Sequence, residues 1–272
     1  MNSTHTRAEQ LQVIDSHCHV HDSEFYDDEA REAAYQQAID AGIGMICVGT
    51  DVRSSREAVE FAKSHEAAWA IVGIHPHDSE AEGETGCAEI RRLLQQNDGT
   101  IVGVGEIGLD YFYDNSDRVA QRQMLRWQLK LAQEFDLPVS FHVRDEKVSN
   151  GAVWRDFWPI FDEAPVRGVL HSFTDTEENL RMGLQRGLYI GVNGISTFTK
   201  DTTQQQMYAD LSLDTMLLET DAPFLTPRPF RGKVNVPAFV AEVARDQAMK
   251  KHQTVDDIYT ATQANTRRLF HI

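Results

Sequence analysis

Side chains that can bind metal recur along this 272-residue chain, and most of them follow a short apolar run. The first two are His17 and His19, in the segment IDSHCHV. On a β-strand, residues two apart point to the same face, so both imidazoles would converge on one point. Neutral imidazole is the commonest metal ligand among protein side chains. The pair therefore predicts one wall of a metal site, with two unrelated surface or hydrogen-bonded histidines as the alternative.

The same pattern returns at the ends of five later apolar runs. Their polar residues are His75 and His77 (GIHPHD), Glu106 (GVGEIGLDYF), His142 (SFHVRD), His171 (VLHSF), and Glu219 with Asp221 (LLETDAPFL). Buried ionisable groups are costly unless they are paired or bound to metal, so the set indicates a shared site. Imidazole with carboxylate suits Zn²⁺ or Mn²⁺, whereas Mg²⁺ prefers oxygen ligands. Four histidines and two acids exceed the needs of one ion, which predicts two divalent cations about 4 Å apart, bridged by Glu106.

The elements that must position these residues alternate regularly. The predicted strands are Gln12–Cys18, Gly44–Thr50, Trp69–His75, Ile101–Ile107, Pro138–Val143, Gly168–Phe173, Leu188–Asn193 and Met216–Asp221, with helical periodicity between them, as in Ser116–Phe135. Eight such β-then-α units predict an α/β fold of the (β/α)₈ TIM-barrel type, whose catalytic residues lie at the carboxyl ends of the strands. Two last helical stretches, Pro237–Lys250 and Thr254 to about Phe270, predict an extra C-terminal helix. We expect one domain over residues 1–272, with a polar extension at 1–11.

Charge limits the kinds of partner. The chain has 26 basic and 42 acidic residues, a net charge of −16, and a nucleic-acid binder would normally show a basic footprint. A protein of this charge that acts on phosphates needs cations supplied locally. The segment TPRPFRGK carries Arg228, Arg231 and Lys233 without an acid, directly after the eighth strand. It is predicted to hold phosphate, with a solvated loop as the alternative.

Other features indicate the compartment. The three cysteines show no CxxC spacing, which favours reduced thiols over disulfides or a thiolate zinc site. The polar N-terminus MNSTHTRAEQLQ has no apolar region of a signal peptide, and no apolar run reaches about 18 residues. These observations predict a cytoplasmic protein without a membrane partner. They leave the oligomeric state open.

Taken in order, HxH, GIHPH, GEIGLDYF, FHxRD, HSF, ETDAPFL and RGKxN resemble the TatD family of metal-dependent deoxyribonucleases, within the amidohydrolase-like barrels. The resemblance runs from Val13 to the NTRRLF segment. It implies that His17, His19 and Asp221 hold one cation, that His142 and His171 hold the other, and that Glu106 is shared. His75, His77, Arg144 and Asp145 match positions that contact the ligands or the substrate, and Glu219 would orient a ligand or water.

The activity that the resemblance implies is phosphodiester hydrolysis. We expect a deoxyribonuclease of the 3'-5' exonuclease type, with Zn²⁺, Mn²⁺ or Mg²⁺ activating a water and Asp221 as general base beside Glu106. Single-stranded DNA ends are the expected substrate, and Phe224, Phe230 and the aromatics of DYFY are candidates for stacking on bases. The chain departs from the family at Asn235-Val236-Pro237 and at His171-Ser172-Phe173-Thr174-Asp175, which leaves the substrate open.

Two alternatives remain. The first is another hydrolase of the same barrel class, such as a phosphotriesterase, a lactonase or an aminoacyl-tRNA deacylase. Many such barrels bridge their cations with a carboxylated lysine at a strand end, and no strand end here offers one. The second is a non-catalytic barrel scaffold, which loss of a ligand would indicate. All six ligand positions are filled.

Overall fold

Eight parallel strands, paired in chain order, form one sheet in the computed structural model, which describes residues 11–146 and 150–272. The strands are β1 (Val13–Cys18), β2 (Ile43–Val48), β3 (Ala68–Val72), β4 (Ile101–Asp110), β5 (Val139–Arg144), β6 (Gly168–Leu170), β7 (Tyr189–Val192) and β8 (Met216–Leu218). The helices are α1 (Asp28–Asp40), α2 (Val52–Ser64), α3 (Ser79–Gln95), α4 (Arg118–Glu134), α5 (Ala152–Glu163), α6 (Glu177–Gln185), α7 (Thr202–Asp210), α8 (Val240–Lys251) and α9 (Val255–Phe270). The predicted (β/α)₈ barrel with an added C-terminal helix is confirmed. The predicted extension at 1–11 lies almost wholly outside the described residues.

The sheet closes between β1 and the segment that follows β8. The amide of Asp221 donates to the carbonyl of His17 over 2.9 Å, and the amide of His19 donates to the carbonyl of Ala222 over 2.8 Å. The buried carboxylate of Asp15 also accepts from the amide and hydroxyl of Thr220. Closure of the barrel therefore sets the paired histidines and Asp221 at a fixed separation.

Branched apolar side chains fill the barrel interior. Ile14, Ile46, Ile71, Val102 and Leu217 belong to one buried cluster, as expected for alternate residues that point inward. Leu269 and Phe270, at the end of α9, join the same cluster. Because Leu11 and Ala67, which precede β1 and β3, also belong to it, α9 covers the amino-terminal end of the barrel. The opposite end is left for the polar residues.

Polar residues start the helices soon after the strands end. Asp51 and Thr254 form capping boxes at α2 and α9, and single side-chain caps occur at Asp27, Asp117, Thr176 and Asp201. Such a cap stabilises a helix start by about 0.5–2 kcal/mol. Among the described residues, no helix is both long and apolar enough to cross a bilayer.

Several strand ends differ from the predicted ones. β4 does not stop near Glu106 but continues to Asp110, so both carboxylates lie on one strand, four residues apart. β3 ends at Val72 and β8 at Leu218, which places His75 and Asp221 on the loops that follow. Sequence alone overestimated β3 and β8 because the regular strand pairing ends at Val72 and Leu218, before these polar residues.

Candidate metal centre

Glu106 lies at the centre of the carboxyl end of the barrel, with its side chain only 6% exposed. Its Oε2 atom is 3.4 Å from Nε2 of His17 and 3.8 Å from Nε2 of His19. Its Oε1 atom is 2.8 Å from Nδ1 of His142 and 3.7 Å from Nε2 of His171. The two carboxylate oxygens therefore face different pairs of histidines, which is the arrangement of a bridging ligand.

Asp221 completes the group around His17 and His19. Its Oδ1 atom lies 3.9 Å from Nε2 of His17 and 3.3 Å from Nε2 of His19. The backbone of Asp221 is left-handed, with φ of 58°, which turns its carboxylate back toward the paired histidines. Ligands about 2.0–2.1 Å from a tetrahedral ion stand about 3.3 Å apart. The donor set fits one divalent cation with little adjustment.

Hydrogen bonds on the far side of the rings fix which nitrogen faces inward. Nδ1 of His19 lies 2.7 Å from the carbonyl of Val48, and Nε2 of His142 lies 2.9 Å from Oδ2 of Asp110. These acceptors require a proton on the outer nitrogen, so in the neutral ring the inner nitrogen carries the free lone pair. At His171 the outer contact is an ion pair, with Nδ1 3.0 Å from Oε1 of Glu219, and Nε2 again faces Glu106. For His17 the outer partner is the hydroxyl of Ser140, and its buried Nε2 has no hydrogen-bond partner among the described residues.

His75 differs from these four histidines. Its Nε2 atom is 3.7 Å from Oε1 of Glu106, as near as that of His171, and the three side chains His75, Glu106 and His142 form a compact group. However, the amide of His77 donates to Nδ1 of His75 over 3.2 Å. Nδ1 must then be unprotonated, which leaves the proton on Nε2, and burial lowers the pKa of the ring well below its usual value. His75 therefore faces the centre as a neutral hydrogen-bond donor.

Burial and charge act against each other on the titration of the centre. Burial disfavours a charged His142, but hydrogen bonds to Asp110 and Glu106 outweigh it and raise its pKa to about 9. Burial likewise opposes charge on His171, yet the nearby carboxylates raise its pKa to about 10. Burial would raise the pKa of Glu106, but the surrounding imidazoles hold it well below its usual value. The rings of His142 and His171 therefore hold the protons that a cation displaces, because only a neutral ring binds metal.

Glu219 is fully buried beside His171. Its Oε1 atom accepts from the amide of Ser172 over 2.6 Å, and its Oε2 atom has no hydrogen-bond partner among the described residues. A Cβ atom at position 191 would lie 2.4 Å from that Oε2, so Gly191 on β7 leaves the space that the carboxylate occupies. Glu219 therefore touches a predicted ligand rather than the cavity, as the orienting role requires.

A cavity of about 540 Å³ opens above the centre. Among the predicted contact residues, His75, His77 and Arg144 line it, and Arg144 lies 4.1 Å over the ring of Phe112. Within the part of the chain that the structure describes, its lining includes no lysine that could serve as a bridge. The cavity is the place where a substrate can reach the predicted ligands.

Four other predicted contact residues do not line this cavity. Asp145 is buried and accepts from the amides of Gly151 and Val153, so it fastens the start of α5. Arg231 donates to a carbonyl within its own loop and covers the ring of Phe198, and Lys233 packs over Phe230. Arg228, Arg231 and Lys233 are exposed outside the lining, because their loop folds back on itself.

Sequence reasoning missed two residues that hold ligands in place. Asp110 binds Nε2 of His142, and Asp15 binds the segment before Asp221. The signal for Asp15 was its position two residues before His17, on the same strand face. The signal for Asp110 was its four-residue spacing from Glu106, which aligns two side chains only if the strand continues.

Clustered histidines and carboxylates at the carboxyl end of an eight-stranded barrel are typical of metal-dependent hydrolases. The family described as TatD related DNase matches residues 14–271. The chain belongs to this family, and it is a metal-dependent hydrolase whose His, Glu and Asp clusters are able to bind metal.

Individual relatives agree over nearly the whole chain. An uncharacterized metal-dependent hydrolase of Bacillus subtilis, YabD, is 32% identical over 96% of this chain and 99% of its own length. A protein of Erwinia tasmaniensis named 3'-5' ssDNA/RNA exonuclease TatD is 33% identical over 89% of this chain and 94% of its own. The crystal structure of the Escherichia coli TatD homologue YjjV, 30% identical, superposes with a TM-score of 0.86 over 96% of this chain and 99% of that one.

Proposed function

We propose that the chain is a two-cation exonuclease that removes nucleotides from ends of single-stranded nucleic acid. The observation that carries the proposal is the set of imidazole nitrogens, fixed by outer hydrogen bonds, that face the carboxylates of Glu106 and Asp221. The predicted partition assigns His17, His19 and Asp221 to one cation, His142 and His171 to the other, and Glu106 to both. The substrate class follows the name of the Erwinia tasmaniensis relative.

Charge supports two cations rather than one. The connected cluster contains four carboxylates, those of the buried Glu106, Asp110 and Glu219 and that of the mostly buried Asp221. Buried anions are costly unless they are compensated, and two divalent cations supply four positive charges. The mixed nitrogen and oxygen donors suit Zn²⁺ or Mn²⁺, with Mg²⁺ a poorer match.

The residues of the chain divide the chemistry among them. When bound, the cations would lower the pKa of a water and stabilise negative charge on the phosphate. Asp221 carries a lowered pKa, because the pull of the nearby imidazoles outweighs burial, so it is ionised and able to accept the proton of the attacking water. His75 offers its Nε2–H group to a phosphoryl oxygen, where charge increases in the transition state.

The test uses purified protein stripped of metal and reloaded separately with Mn²⁺, Zn²⁺ or Mg²⁺. The loaded protein should shorten an end-labelled single-stranded oligonucleotide stepwise from one end, and Asp221→Asn should lower the rate at least 1000-fold without loss of the folded state. The exposed Asp214→Asn, a matched carboxylate-to-amide change, should act like the wild type. Hydrolysis of aminoacyl-tRNA or a lactone, with all oligonucleotides left intact, would contradict the exonuclease and leave the metal-dependent hydrolase.

A further inference from the structure

Two large aromatic side chains stand exposed at one rim of the cavity. Phe25 is 42% and Phe224 46% exposed, although most large apolar side chains among the described residues are buried. Their ring centroids are 5.1 Å apart and nearly perpendicular. Both residues line the cavity that opens above the metal centre. Exposed apolar patches bordered by polar residues are typical of binding sites.

The pair adjoins the predicted ligands directly. The centroid of the His19 ring lies 6.5 Å from that of Phe25 and 6.3 Å from that of Phe224. A substrate whose phosphate reached Glu106 and Asp221 would bring the attached nucleoside within reach of these two rings. Of the other aromatic candidates, Phe230 is stacked on Phe239 and is thereby occupied.

The opposite rim supplies complementary charge. Arg144 is exposed, lines the cavity and lies over the rings of Phe112 and Tyr113 at 4.1 and 4.9 Å. No carboxylate among the described residues lies within ion-pair distance of its guanidinium, in a protein with a net charge of −16. An unpaired arginine is suited to a phosphate. An apolar aromatic wall facing a free cation matches a nucleotide, which presents a π-face and an anion.

We propose that Phe25 and Phe224 form a stacking platform for the unpaired base of the nucleotide at the scissile linkage, with Arg144 binding a phosphate across the cavity. The inference rests on the proposed function and adds how that function recognises its substrate. A base within a duplex is already stacked and paired, so it must first be released to occupy the platform. The platform thus favours single-stranded ends and tolerates any base, because every base has a π-face.

The experiment compares two oligonucleotides that differ only in the base at the end that is attacked. One carries thymine there and the other carries an abasic tetrahydrofuran residue. Stacking on aromatic side chains is worth ~1–3 kcal/mol per base, so wild-type kcat/KM should be ~5- to 150-fold higher with the base present. Phe25→Ala, Phe224→Ala and the double variant should bring this ratio toward one. Phe224→Trp should retain the ratio, and Phe224→Leu, which keeps apolar bulk without a ring, should lose most of it.

Met249→Ala serves as the control, because Met249 is 70% exposed and does not line the cavity. It should leave the ratio unchanged. A wild type that degrades both oligonucleotides equally, or variants that keep the wild-type ratio, would overturn the platform while leaving the exonuclease intact.

A binding measurement separates the inference from the catalytic proposal. An oligonucleotide with terminal 2-aminopurine and a hydrolysis-resistant phosphorothioate at the last linkage is titrated with wild type and with the double alanine variant. Quenching by wild type that is lost in the variant supports the platform even if turnover is absent. Equal fluorescence with both proteins, or no binding by wild type, would refute it.

Discussion

The buried carboxylate of Glu219 provides the most direct test of how the centre is held together. It receives the Ser172 amide at 2.6 Å and stands 3.0 Å from the outer nitrogen of His171. In Glu219→Gln the amide oxygen is able to keep both contacts, but the negative charge is lost. Hydrogen bonds to charged groups are worth about 1.5–3 kcal/mol and neutral ones about 1 kcal/mol. The difference of about 1–2 kcal/mol corresponds to a loss of ~5- to 30-fold in cation affinity.

The substitution also affects stability. The new NH₂ group takes the place of Oε2, which has no partner among the described residues, and a buried unsatisfied donor costs about 1–3 kcal/mol. Urea unfolding should show this decrease in the free energy of unfolding. Calorimetric titration of the stripped, folded protein with Mn²⁺ measures the affinity separately, because only folded molecules contribute.

A second substitution reaches the same carboxylate without changing its charge. In Gly191→Ala the new Cβ would stand 2.4 Å from Oε2 of Glu219, closer than real contacts allow, so the carboxylate must move away from His171. The affinity should fall in the same direction. Glu178→Gln, on the exposed surface of α6, should leave it unchanged. Mn²⁺ affinities within twofold of wild type for both Glu219→Gln and Gly191→Ala would refute the orienting role of this carboxylate.

Four further outcomes are expected. At pH 7.5 cation binding should release about two protons, from His142 and His171. Calorimetry in buffers of different ionisation enthalpy measures this release. Binding with no net release would contradict the raised pKa values. Because both folded-state values exceed the unfolded value of about 6.5, the stabilisation is complete below that pH, and the free energy of unfolding of the stripped protein should fall as pH rises through about 9–10. Asn235→Ala removes two hydrogen bonds to backbone carbonyls of the segment that carries Asp221, so kcat should fall with little change in KM. An unchanged kcat would exclude a role of Asn235 in positioning this segment. Lys251→Met loses three hydrogen bonds to carbonyls at the end of α7 and should lower the free energy of unfolding in urea by about 1–3 kcal/mol. The control Lys200→Met, at an exposed position, should leave it unchanged. Equal stabilities of the two variants would show that the contacts of Lys251 are unimportant.

The order of apolar runs was enough to predict the barrel. Parallel strands covered on both faces have continuous apolar sequences, and eight successive β-then-α units favour a closed (β/α)₈ barrel. The same reasoning predicted that the polar residues after those runs would meet at one end. The structure brings the six predicted ligands together there. Each of the four histidines lies within 4 Å of the carboxylate of Glu106 or Asp221.

Where the cavity lining differs from the sequence expectation, the cause is physical. Asp145 and the basic loop lie near the site in the chain, but side-chain direction decided that Asp145 caps a helix and that Arg231 covers Phe198. Phe25 went unnoticed because an exposed phenylalanine cannot be told from a core one by sequence. Its pairing at the cavity depends on Phe224, 199 residues later in the chain.

The sequence by itself determined which residue types could bind metal and at which end of the barrel they would lie, because strand periodicity and strand direction are local properties. Only the tertiary structure decided which nitrogen of each ring faces inward. That choice depends on outer partners such as Val48, Asp110 and Glu219, which lie on or directly after other strands. The difference between His75 as a donor and His171 as a ligand candidate rests on one amide proton from His77. Contacts between strands, such as those to Val48 and Asp110, are made only when the sheet forms.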